Sequence, residues 1–229
     1  MDRKNQALAY SRESKPFGRS WEEWAARWCT WLLSISKDIN PSLDGDGRYC
    51  AINQNFPNVW FLTGTFGNIT QVTRRCVIPD TKAIFLPIIE KEDSFAEDTD
   101  LTAESDLAKR ANEFIDRVKY TEFQLDGFQF NKNDIHRVQS IPFDLRFPVN
   151  GVYDVKAGLT RAVCDGYWIF LKPLTRGYHT IKFAGEVEMI ANDVVTQQFL
   201  DDPLYNHIKE EIHKNASFRL DIVYSIIVQ

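Results

Sequence analysis

The stretch DGYWIFLKPLTRGYHTIKFAGE, residues 165–186, decides the fold class. Two runs rich in aromatic and β-branched residues, Tyr167 to Leu171 and Tyr178 to Phe183, are joined through Pro173 and Gly177, which stop one strand and turn the chain into the next. His179 follows the turn, and its period-two partners are Ile181 and Phe183, so alternation puts it on the core-facing side. A polar ring in that position needs hydrogen-bond partners. The plain reading is a satisfied structural histidine. The chemical one is an acid or base beside a carboxylate such as Asp165 or Glu186.

Strand patterns continue in both directions. NVWFLTGTF (58–66) is one, and RRCVI with KAIFLPII flank Pro79-Asp80-Thr81 and read as a hairpin. FQLDGFQF carries the strongest two-residue hairpin signal, Asp126-Gly127. FDLRFPV follows, and near the end Phe218, Leu220, Ile222, Tyr224 and Ile226 alternate strictly.

Three helical patterns interrupt the strands. In SWEEWAARWCTWLLSI (20–35), Ser20 and Glu23 form a capping box, and Trp21, Trp24, Trp28 and Trp31 fall within roughly 60° of one another on a helical wheel. Leu107, Ala111, Phe114, Ile115 and Val118 mark a second helix over about 104–119. Asp202, Pro203, Leu204, Ile208 and Ile212 mark a third. Many short strands without βαβ alternation predict a mainly β fold, an antiparallel β-sandwich or jelly roll with about three peripheral helices. A polar extension (1–19) precedes one domain (20–229), with helical inserts near 101–119 and 193–215. Packing against the sandwich is the plain reading of the tryptophan stripe.

Bulk composition narrows the function classes. The 229 residues are 44% hydrophobic and 13% aromatic, enough for a core that needs no staple. Net charge is −5, with no basic block beyond Arg74-Arg75, so nucleic acid is not an expected partner. The acidic run EKEDSFAEDTD (90–100) reads as a solvated loop, with a cation or basic partner as its lesser alternative. No segment reaches the ~18 apolar residues of a membrane span. The polar start, without an apolar run of signal-peptide length, gives the expectation of a cytoplasmic protein, or an exported one if a leader has been removed.

No metal or cofactor signature emerges. Counting a calcium loop from Asn40 puts Asp44 fifth and Gly45 sixth, with Asp46 next in the loop, but the twelfth place is Ala51 rather than a bidentate Glu. Asp44 and Asp46 are therefore weak candidates within a tight turn. His207 and Glu211, one helical turn apart, are a second weak pair, because His213 is rotated ~120° from His207. Glu122, Asp126, Asp144, Asp154 and Glu186 are carboxylates that could pair across a sheet. No cofactor is expected.

The order of motifs resembles a largely uncharacterised, often exported bacterial β-sandwich family. The resemblance lies in Trp21/Trp24, Asn40-Pro41, Cys50, Gln54, Val59-Trp60-Phe61-Leu62, Gly64, Arg74, Cys76 and Pro79. It resumes in Asp165-Gly166-Tyr167, Leu171, Pro173-Leu174, Gly177, His179, Ile181, Phe183, Gly185, Tyr224 and Val228. It covers residues 20–90 and 160–229, and implies a sandwich fold and, in exported members, a Cys50–Cys76 disulfide. It implies no activity.

Three functional expectations follow. The first is a binding module for a glycan, peptide or protein surface, with Trp60, Trp168, Tyr153 and Phe66 as candidate aromatic platforms. The second is a jelly-roll hydrolase or lyase using His179 with Asp165 or Glu186. The third is an assembly or regulatory protein using the 203–213 helix.

Overall fold

A computed structural model describes residues 8–66, 70–190 and 217–229, and the statements below concern these. Ten strands form two sheets. β1 (Val59–Phe61), β3 (Ala83–Ser94), β8 (Gly158–Leu171) and β6 (His136–Gln139) lie in that order, with β7 (Phe143–Phe147) also pairing β8. The second sheet runs β2 (Gln71–Ile78), β10 (Ser217–Val228), β9 (Gly177–Glu188), β4 (Val118–Leu125), β5 (Phe128–Gln129). The mainly β sandwich expected from the sequence is the fold. Its sheets are mixed rather than purely antiparallel, because β1 pairs β3 and β2 pairs β10 in parallel.

Two turns behave differently from one another. Asp126 and Gly127 both take positive φ, 52° and 79°, the geometry that closes a two-residue hairpin, and β4 pairs β5 across them. The turn at Pro79-Asp80-Thr81 makes no hairpin. β2 lies in the second sheet and β3 in the first, so the connection crosses the sandwich. Residues 172–176 do the same between β8 and β9. The physical reason is burial on both sides of the gap: alternate residues of each partner, such as Val72, Cys76 and Ile78 against Ile84, Leu86 and Ile88, share one core between the sheets.

The first sheet is covered on its other face by α1 (Trp21–Leu33). Ser20 and Glu23 close the capping box, and all four tryptophans of the stripe are buried. Each indole N–H donates to a main-chain carbonyl: Trp21 to Ser11, Trp24 to Pro16, Trp28 to Leu62 and Trp31 to Ile52, at 2.8–3.1 Å. The stripe stitches the helix to three loops while its rings fill the core. Part of the polar extension is drawn in as well, since Ala9 bridges Leu171 and Tyr10 N–H donates to Phe170.

The second helix, α2 (Glu104–Ile115), packs on β3 and β8 and ends four residues short of the expected end near 119. Val118 belongs to β4 instead, because its backbone is claimed by Val187 of β9. The expected helix at 203–213 lies outside the described residues, among which there are two α-helices.

Arg74 on β2 ties the chain together. It is 1% exposed, and its guanidinium donates to the carbonyls of Ser42, Asp44, Thr63 and Gly64 and to the Tyr224 hydroxyl, at 2.7–3.2 Å. A disulfide joins Cys50 to Cys76 across 26 residues, clamping the same loop. Closing a loop of that size contributes about 3–4 kcal/mol.

Arg74→Met should cost on the order of 3–5 kcal/mol in urea unfolding, because it strands buried carbonyls and a hydroxyl. Arg75→Met, on an exposed position of the same strand, should change stability by about 0.5 kcal/mol or less.

Candidate functional site

His179 faces inward from the start of β9, as alternation requires, and it is fully engaged. Nδ1 lies 2.7 Å from Asp126 Oδ2, and Nε2 lies 2.7 Å from the Thr175 carbonyl. Asp126 also accepts from the Thr180 N–H at 2.8 Å, so the ring clasps the β4–β5 turn to the β8–β9 connection. Neither expected carboxylate is beside it. Glu186 lies seven residues along β9, near Arg219 at 3.8 Å, and Asp165 sits in the other sheet. Asp165 is buried and holds Arg137 at 2.7 and 2.9 Å, with Arg137 reaching on to Asp116 at the end of α2. These are structural ties.

The aromatic candidates do not form one platform. Trp60 and Trp168 are buried on opposite faces of the first sheet, while Tyr153 and Phe66 are half-buried and meet edge to face at 5.8 Å. Asp44 spends its carboxylate on the N–H groups of Asp46, Gly47 and Tyr49 at 2.8–3.1 Å, and Asp46 pairs with Arg48. Both shape the turn. Among the described residues no three His, Cys, Asp or Glu side chains gather as metal ligands, and His207 and Glu211 lie outside them. Of the other carboxylates, Asp144 pairs with Arg161 at 2.9 Å and Glu122 accepts from Gln124 at 2.5 Å.

The acidic run corrects the sequence reading most sharply. Glu90 to Ser94 are the last turnless residues of β3, and Glu92, Asp93, Ser94 and Asp98 are buried. Before the irregularity between Pro87 and Ile89, even-numbered residues of β3 face the second sheet. Past it, Ile89 takes that side, packed with Val187 and Met189. One extra residue thus rotates Glu90 and Glu92 to the helix-covered face, where their charge bears on Cys29 of α1 and on Tyr153. Gly166, opposite Glu90, leaves the space: a Cβ there would stand 2.7 Å from Glu90 Cβ and from the Ile89 carbonyl.

Burial dominates the chemistry of this cluster. It pushes the Glu90 carboxyl up to about 8 and Asp93 up to about 7, each only partly offset by Lys91. Glu92 is driven well above its ordinary range by burial first and then by neighbouring Glu97. Tyr153 and the Cys29 thiol are raised for the same leading reason. The signal that could have revealed this is continuity: AIFLPII runs into EKEDS with no turn residue between.

An accessible groove of about 550 Å³ lies elsewhere, along the polar face of α1. Glu23, Arg27, Thr30 and Ser34 line one wall, and Asn53, Asn55 and Phe56 the other. Burial lowers the Arg27 pKa from its ordinary value, and the guanidinium lies 5.7 Å over the Phe56 ring. Asn53 holds a positive φ of 51°, which presents its exposed amide at the rim.

No protein-family model matches the chain, and comparison with curated proteins and with solved structures returns no match.

Two outcomes follow. Between about pH 5 and 8 the folded chain holds protons on Glu90, Glu92 and Asp93 that an unfolded chain has released, so stability falls as pH rises through that window. Glu22, held low by Arg12, titrates below it. Urea midpoints should drop from pH 5 to pH 8, and Glu90→Gln should flatten the profile. His179→Ala should lower stability by about 1–2 kcal/mol through its two lost hydrogen bonds, and leave ligand binding in the α1 groove unchanged.

Proposed function

We propose that the protein is an exported β-sandwich binding module that recognises a neutral glycan in the groove beside α1. The observation that carries the reading is the composition of that groove. Donors and acceptors of both kinds, from Arg27, Glu23, Thr30, Asn53 and Asn55, surround an apolar floor at Phe56 and Phe143. Sugars present alternating hydroxyls and C–H faces, and such a mixed lining matches them better than an apolar ligand or a single charge. A volume of about 550 Å³ holds a short saccharide rather than a folded partner.

Export is supported by the Cys50–Cys76 disulfide, a bond that persists in oxidising compartments, and by the resemblance to an often exported bacterial family. No helix among the described residues is long and apolar enough to cross a membrane. The hydrolase reading draws no support from His179, whose ring nitrogens are both occupied.

The test is calorimetric titration with a panel of neutral oligosaccharides. Binding by the wild type should weaken by about tenfold in each of Arg27→Ala and Asn55→Ala, in keeping with one lost hydrogen bond to a polar ligand. A wild type that binds no member of the panel, or variants that bind unchanged, would sink the proposal.

A further inference from the structure

A second concavity, of about 600 Å³, lies on the outer face of the second sheet and shares no lining residue with the α1 groove. Its floor follows from strand register. Val77, Ile227 and Tyr178 are neighbours across β2, β10 and β9, and Arg75, Ser225 and Thr180 form the next row on the same face. Two such rows stand about 7 Å apart. The first row is apolar and open to solvent, with Tyr178 85% exposed. The second is polar and ends in the exposed Arg75. A wall rises beside it from Gly47 to Ala51. The Arg75 N–H donates to the Asp46 carbonyl at 2.9 Å, and a Cβ on Gly47 would stand 2.2 Å from the Arg75 carbonyl oxygen. The Cys50–Cys76 disulfide ties that wall to β2, so the concavity is formed before any ligand arrives.

Arg75 is the charge this surface leaves uncompensated. Around it Asp46 pairs with Arg48 and Asp80 with Arg176, while Asp126 is engaged by His179 and the Thr180 N–H. Among the described residues the Arg75 guanidinium meets no carboxylate or carbonyl, and no Asp or Glu lines the concavity. We propose that the concavity binds a small organic carboxylate, its head on Arg75 and its apolar body along Val77, Ile227 and Tyr178. A guanidinium presents two parallel N–H groups to the two oxygens of a carboxylate, and the Ser225 hydroxyl stands one strand away, about 5 Å, as a further donor. A single cation matches a singly charged head rather than a phosphate, and it is far from the basic cluster that an anionic membrane requires. The volume is that of a small-molecule site, and the exposed row supplies the apolar contact. Two sources carry this chemistry, an alkyl and an aryl carboxylate.

The experiment is calorimetric titration of the full chain at about pH 7, where a carboxylic acid is ionised. The probes are octanoate, naphthoate, the neutral octanol and the cationic octylamine. At least one of the acids should bind, octanol at least tenfold more weakly, and octylamine not at all. Arg75→Met, which should leave the fold intact, should weaken the acid at least tenfold, and Tyr178→Ala about fivefold. Arg146→Gln, at an exposed position of β7 in the other sheet, should keep wild-type affinity. Tighter octanoate assigns the site to alkyl chains, and tighter naphthoate to aryl groups. Octanol binding as tightly as the acid, an unchanged affinity in Arg75→Met, or no binding of either acid would overturn the proposal. So would a wild-type dimer in sedimentation velocity that Tyr178→Ala dissociates, which would make this face a contact between two copies of the chain.

Discussion

The buried guanidinium of Arg74 is the constraint on which the rest of the molecule depends. Among the described residues it has no carboxylate partner. Instead it gathers carbonyls from the loop at Ser42 and Asp44, from the segment after β1 at Thr63 and Gly64, and the hydroxyl of Tyr224 on β10. Tyr224 in turn donates to the Thr63 carbonyl at 2.8 Å. A loop that crosses the end of a sandwich leaves main-chain groups that no ladder can satisfy, and a planar cation with five donors can satisfy several together. The disulfide two residues along the same strand closes the loop covalently, and Gln54 completes the seal by pairing with both polar groups of Phe61.

With that end fixed, the tryptophan helix becomes intelligible. Its ridge of indoles is a structural device, not a ligand surface. The rings fill the space over β3 and β8, as in the near-parallel stack of Phe85 on Trp168 and the edge contact of Trp28 with Trp168. The N–H groups then hold loops that would otherwise have no reason to stay. The helix leaves its opposite face open, where Glu23, Arg27, Thr30 and Ser34 recur at helical spacing beside the Asn53–Phe56 loop.

Much of this was legible in the residues. The capping box at Ser20, the Asp126-Gly127 hairpin and the alternation of β10 are local patterns, and each formed as its spacing predicts. The acidic run misled because charge alone argues for solvent. Its burial depends on a register shift between Pro87 and Ile89 that no periodicity announces. Arg74 read as half of a basic pair, since nothing local distinguishes it from Arg75. Only alternation along β2 separates the two, one turned into the sandwich and one out of it.

The sequence by itself determined the β class, the placement of α1 and the inward direction of His179, because these rest on interactions among residues a few positions apart. Tertiary structure alone decided which strands share a sheet, so that the turns at 79–81 and 172–176 became crossings rather than hairpins. It also decided that Asp126, not Asp165 or Glu186, meets His179, and that Glu92 is buried beside Glu97. These outcomes turn on contacts between segments far apart in the chain, whose geometry is set by packing across the core and carries no local signature.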